Sequence, residues 1–76
     1  MKIHLGGSLA WYDKQKRSNF VVELSGSMSL NALLDKLAIP SAEIAIISIN
    51  GQLLRGEDYM LKDTDEIKLY PSMGGG

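Results

Sequence analysis

This sequence predicts an α+β fold in which a mixed sheet packs on one helix. Three observations carry the expectation: apolar residues alternate near both ends of the chain, one stretch between them has helical spacing, and an Asn-Gly pair separates two further apolar runs. With 76 residues, 45% of them hydrophobic and 22% charged, the chain has the length of one small domain and the composition of a globular one. That length excludes a large enzyme fold.

Near the start, Ile3 and Leu5 alternate with Lys2 and His4, which predicts a first strand from Lys2 to about Leu9. Phe20, Val22 and Leu24 then share one face of a second strand beginning at Asn19. The polar run from Asp13 to Ser18 joins the two as an antiparallel hairpin. Ser29 stands as an N-cap before Leu30, Leu33, Leu34 and Leu37, whose spacing is that of one helical face, and Pro40 stops the helix. A third, isoleucine-rich strand runs from Ala42 to Ile49 and ends at Asn50-Gly51, a pair that tolerates the positive φ of a two-residue turn. Gln52-Leu53-Leu54 forms a short fourth strand. Glu57 to Leu61 reads as a turn or single helical turn, Asp63-Thr64-Asp65 as a second turn, and Glu66 to Tyr70 as the last strand.

That order of elements is the β-grasp type, a mixed sheet of four to five strands on one helix, with the first and last strands parallel in the middle. The expected core is Ile3, Leu5, Phe20, Val22, Leu24, Leu30, Leu33, Leu34, Leu37, Ile47, Ile49, Leu61, Ile67 and Leu69. Residues 1–71 form the domain, and 72–76, with Gly74-Gly75-Gly76, form a flexible C-terminal tail.

Eight Lys and Arg against nine Asp and Glu give a net charge of -1, which does not favour nucleic acid, although Lys14, Lys16 and Arg17 form a local basic cluster. Without cysteine there is no disulfide and no thiolate site, and a reducing, cytoplasmic setting is expected. No run approaches the length of a membrane span, and none reads as a signal peptide. His4 is a lone histidine with no second ligand nearby in sequence, and the acids between Glu57 and Glu66 suit turns and solubility, so neither a metal nor a cofactor is expected. The run Ile44 to Ile47 makes both faces of the third strand apolar. Ile44 and Ile46, with Tyr70 and Met73, are candidates for a docking surface on the open sheet face, and self-association through that face or merely scattered exposure fits the same residues equally. Trp11 and Tyr12 suit either reading.

A triple glycine alone fits a disordered terminus as well as a functional tether. As a tether it has no Cβ atoms to clash, so it enters a narrow channel and carries the Gly76 carboxylate to a nucleotide held by a partner. The residues upstream bear on this choice. Ile47-Ser48-Ile49-Asn50-Gly51, Asp58-Tyr59, the run Leu61 to Pro71 and the closing glycines resemble the ubiquitin-like sulfur carriers typified by the small subunit of molybdopterin synthase and the thiamine-pathway carrier. The likeness covers the order of elements in the whole chain and is specific over Ile47 to Gly76.

The resemblance implies a carrier that is not itself an enzyme. Gly76 would be adenylated by an ATP-dependent, ubiquitin-activating-like enzyme and converted to a thiocarboxylate, with Gly75 and Gly74 threading the tail. A sulfur donor enzyme and a sulfur-accepting synthase are the other implied partners, in molybdopterin, tungstopterin, thiamine or related biosynthesis. The alternative on the same tail is a modifier joined through Gly76 to target lysines. Thr64 departs from the glycine usual in the family, and Gly74 is an extra glycine. The opening segment, Gly6 to Ser18, matches nothing specific in the family.

Overall fold

The computed structural model describes residues 1–72. Seven strands and one α-helix follow in chain order: β1 (Lys2–Leu5), β2 (Asn19–Val21), β3 (Ser27–Ser29), α1 (Leu30–Leu37), β4 (Ile44–Ile49), β5 (Gln52–Leu54), β6 (Met60–Lys62) and β7 (Glu66–Pro71). Five of them form a mixed sheet in the order β2-β1-β7-β4-β5, while β3 and β6 pair as a separate two-stranded ribbon. β1 lies parallel to β7 with Ile3 opposite Ile67 and Leu5 opposite Leu69. The expected parallel pair is therefore present, and β7 is the central strand.

Burial follows the alternation. Ile3, Leu5, Ile49, Ile67 and Leu69 turn to one face of the sheet and close over Leu30, Leu33 and Leu34 of α1 and over Leu61. Phe20, Val22, Leu24, Leu37 and Ile47 pack at the rim of this core as partly buried residues. Met1, Leu9 and Ile39 also belong to it, beyond the residues the sequence suggested.

Several boundaries differ from expectation for identifiable reasons. β1 stops at Leu5 because Gly7, at φ +50, turns the chain into a 3-10 helix over Gly7–Tyr12 that brings Leu9 into the core. β2 keeps only Asn19–Val21. α1 is capped as expected, with Ser29 Oγ accepting from the Ala32 N–H at 3.1 Å. Its end is set before Pro40, by Ala38 in the left-handed region at φ 59. The N–H groups of Ala38 and Ile39 bond back to the carbonyls of Asp35 and Leu34, and the buried Ile39 offsets the cost of an unusual alanine conformation. A 3-10 turn at Ser41–Glu43 delays β4 to Ile44. Met60–Lys62, part of which reads as a turn in the sequence, is strand β6 against β3. Among the described residues no helix is long and apolar enough to cross a membrane.

Candidate functional site

Since the inner residues of β7 are Ile67 and Leu69, its other face carries Glu66, Lys68 and Tyr70 away from the helix. Cross-strand register extends that open face. Tyr70 stands opposite Ile46, and Lys68 opposite Ser48. The Asn50-Gly51 turn, with φ of 52 and 86, then fixes Ser48 opposite Leu53. Ile46 is 45% exposed and Leu53 61% exposed, so together with the Tyr70 ring they form an apolar strip across β7, β4 and β5. His4 borders it, its Nδ1 lying 2.9 Å from Asn19 Oδ1 and its ring 5.7 Å from that of Tyr70.

Two of the sequence candidates, Ile46 and Tyr70, are thus direct neighbours. Ile44 is not with them. A register shift between Ile44 and Ile46 inserts Ala45 as a bulge and pairs Ile44 with Pro71, so Ile44 turns to the inner side and packs against the core. The continuous apolar run therefore does not give Ile44 and Ile46 a common open face, as the alternation suggested. Leu53 takes the place in the strip, and the turn register that puts it there is readable from Asn50-Gly51. Met73, Gly74, Gly75 and Gly76 lie outside the described residues.

The opening segment, which matched nothing specific, borders the end of β7. Gly6 N–H donates to the Leu69 carbonyl at 2.8 Å. A Cβ on Gly6 would stand 2.7 Å from Tyr70 Cδ1 and 3.2 Å from the Leu69 oxygen, and one on Gly7 would stand 3.0 Å from Pro71 Cγ. Adjacent glycines thus let the chain pass tightly beside the last residues of the central strand. Tyr70 is seated by that contact on one side and by Ile46 on the other.

Three carboxylates are held by hydrogen bonds. Asp13 holds Arg17 at 2.9 Å and also accepts from the Gln15 and Arg17 N–H groups, and the Arg17 guanidinium keeps the Asp13 carboxyl well below the usual carboxylate range. The Leu24 N–H and then the N-terminal ammonium lower Asp63. The Asn50 amide and then the Lys62 N–H lower Asp65. Among the described residues no group of three or more His, Cys, Asp or Glu side chains is placed to hold a metal ion. What the described residues provide is a five-stranded sheet, an apolar strip on its open face, and a central strand that ends at Pro71.

A profile of the ThiS family matches residues 9–76, from the first 3-10 helix through the whole glycine segment. No individual curated protein matches the chain.

Proposed function

The chain belongs to the ThiS family of ubiquitin-like sulfur carriers, and from that membership we propose that the carboxylate of Gly76 is the group that is activated and loaded with sulfur. Members of the family are small sulfur carriers rather than catalysts, and they work with activating enzymes and other enzymes of sulfur transfer. In the proposed sequence, a Gly76 carboxylate oxygen attacks the α-phosphorus of ATP on the activating enzyme and pyrophosphate leaves. Sulfur delivered at the sulfide level (HS−) by a separate donor enzyme then attacks the Gly76 acyl carbon, the bond to the phosphate oxygen breaks, and AMP leaves with a proton released. The resulting thiocarboxylate passes its sulfur to a synthase in molybdopterin, thiamine or related biosynthesis. The body, residues 1–71, supplies docking. Residues 72–76 supply a tether whose Gly74 and Gly75 have no side chain to obstruct a narrow channel.

The observation that carries this reading is the position of β7. It lies between β1 and β4 and ends at Pro71, five residues before Gly76 and beside the strip of Ile46, Leu53 and Tyr70. An enzyme that covers this strip has the start of the tether at the edge of its footprint. Ile46 and Tyr70 are the docking residues proposed, with Leu53 joining them. Ile44 acts only through the packing beneath.

Intact mass spectrometry tests the proposal after incubation of the protein with its activating enzyme, ATP and a sulfur donor. A gain equal to the exchange of one oxygen for sulfur, located at Gly76, supports it. A covalent adduct to a target lysine would make the protein a modifier instead, and an unchanged mass would leave Gly76 without either role.

A further inference from the structure

The edge strand β2 has features that the sulfur-carrier reading does not use. Its ladder with β1 runs through alternate residues: Leu5 N–H donates to the Ser18 carbonyl at 2.8 Å, Val22 N–H donates to the Met1 carbonyl at 2.9 Å, and Phe20 faces Ile3 between them. Antiparallel alternation therefore turns the N–H and C=O groups of Asn19 and Val21 outward, and among the described residues no strand pairs with that edge. Val21 is 67% exposed. On the helix side of the same edge lies a groove whose apolar floor is Phe20, Val22 and Leu37 and whose rim carries Lys14, Arg17 and Lys36. Arg17 stacks 4.6 Å over the Phe20 ring and is neutralised by Asp13. Lys14 and Lys36 are exposed and form no ion pair among the described residues.

A free ladder above an apolar slot is what an extended peptide needs to join a sheet: main-chain hydrogen bonds hold it, and alternate side chains fill the slot. We propose that β2 and this groove bind an extended acidic segment of a partner protein, which adds a strand at Asn19–Val21. The segment directs two apolar residues, two positions apart, onto Phe20, Val22 and Leu37, and sets flanking Asp or Glu against Lys14 and Lys36. Charge decides the kind of occupant. Two copies of this chain paired through β2 would bring the same cations together, whereas an acidic segment neutralises them. The surface lies on the edge strand, apart from the strip of Ile46, Leu53 and Tyr70 that serves the proposed activation, so the inference does not rest on Gly76 chemistry.

The test is a titration of isotope-labelled protein with a synthetic octapeptide in which valine and threonine alternate between paired aspartates and paired glutamates. Binding should shift the amide signals of Asn19, Val21 and Leu37 first, and added salt should weaken it. Lys14→Glu combined with Lys36→Glu should weaken binding by about tenfold or more while leaving the melting transition in place. Val21→Pro, which removes one outward N–H from an edge position, should weaken it too. Shifts confined to β5 or to Ile46 would overturn the proposal, as would equal binding of a peptide with lysines for its acids. Concentration-dependent dimerisation with no response to the peptide would overturn it as well, in favour of a second copy.

Discussion

The amide of Asn50 and the carboxylate of Asp65 lock two turns to each other. Asn50 Nδ2 donates to Asp65 Oδ1 at 2.8 Å, Asn50 Oδ1 accepts from the Glu66 N–H at 2.8 Å, and Asp65 Oδ2 accepts from the Lys62 N–H at 2.8 Å. Asp65 is only 6% exposed, so the β4–β5 turn is fixed to the start of β7 by a buried, fully used carboxylate. Asp65→Ala strands the Asn50 amide and the Lys62 N–H and should cost about 1.5–3 kcal/mol in urea denaturation. A variant as stable as the parent would show that water replaces these bonds at no cost.

Acid should weaken the fold through the same group. Hydrogen bonds from Asn50 and Lys62 lower the folded-state pKa of Asp65, and those from Leu24 and the N-terminal ammonium lower that of Asp63. Because the folded values lie below the unfolded ones, the contribution is fully present above the usual carboxylate pKa of ~3.9 and is lost as pH falls toward the folded values. Melting temperature should therefore drop steadily below about pH 5, and Asp65→Asn should flatten part of that slope. An equal slope in the variant would assign the acid sensitivity elsewhere.

Truncation of the core separates packing from patterning. Leu34→Ala and Ile67→Ala each remove side-chain volume from positions 7% and 0% exposed, and each should cost about 2–5 kcal/mol, comparable with the whole stability of a small domain. Calorimetry that finds either variant melting with the parent would contradict their inward placement.

At the approach to β7, Gly6→Ala sets a methyl against the Tyr70 ring and the Leu69 carbonyl. The ring has to move and the carbonyl lies in a ladder, so the expected loss is about 1–3 kcal/mol with a changed Tyr70 environment in the aromatic spectrum. Full retention of both stability and spectrum would show that this contact relaxes freely.

Activation should divide into docking and threading. Ile46→Asp, Leu53→Asp and Tyr70→Asp place a charge that docking must desolvate, so affinity for the activating enzyme should fall. The melting transition should remain for the exposed Ile46 and Leu53, while Tyr70→Asp, which also removes a half-buried ring packed on Gly6, should melt earlier. Deleting Gly76 leaves the carboxylate roughly 3.5 Å short and should abolish pyrophosphate exchange. Gly75→Val should depress exchange strongly and Gly74→Ala more mildly, both without loss of stability. Robust exchange by the Gly76 deletion would remove the proposed site.

The parts of this fold visible in the sequence are those written in periodicity and turn chemistry: the helical leucines, the Asn50-Gly51 hairpin, and the alternation of Ile3 with Leu5 and of Ile67 with Leu69. β3 and β6, three residues each, are too short to display alternation, and their pairing joins segments far apart in the chain. The end of α1 is not legible because alanine is not a residue that signals a left-handed cap. The pattern puts Ile44 on the open face because a bulge adds one residue without leaving a mark in it, and every side chain beyond the bulge changes face. At the candidate site the glycines are legible by type. Leu53 required the register, and the role of Gly6 required the ring that lies over it.

The central position of β7 also has a mechanical meaning. It is bonded on one side to β1 and on the other to β4, so tension along the strand at Pro71 would load both ladders at once. Ladder bonds run across the strands, so a pull along the strand loads them together, whereas a pull across it opens them one after another. In the proposed activation, an enzyme drawing on the glycines would therefore load the one strand that is bonded to both β1 and β4.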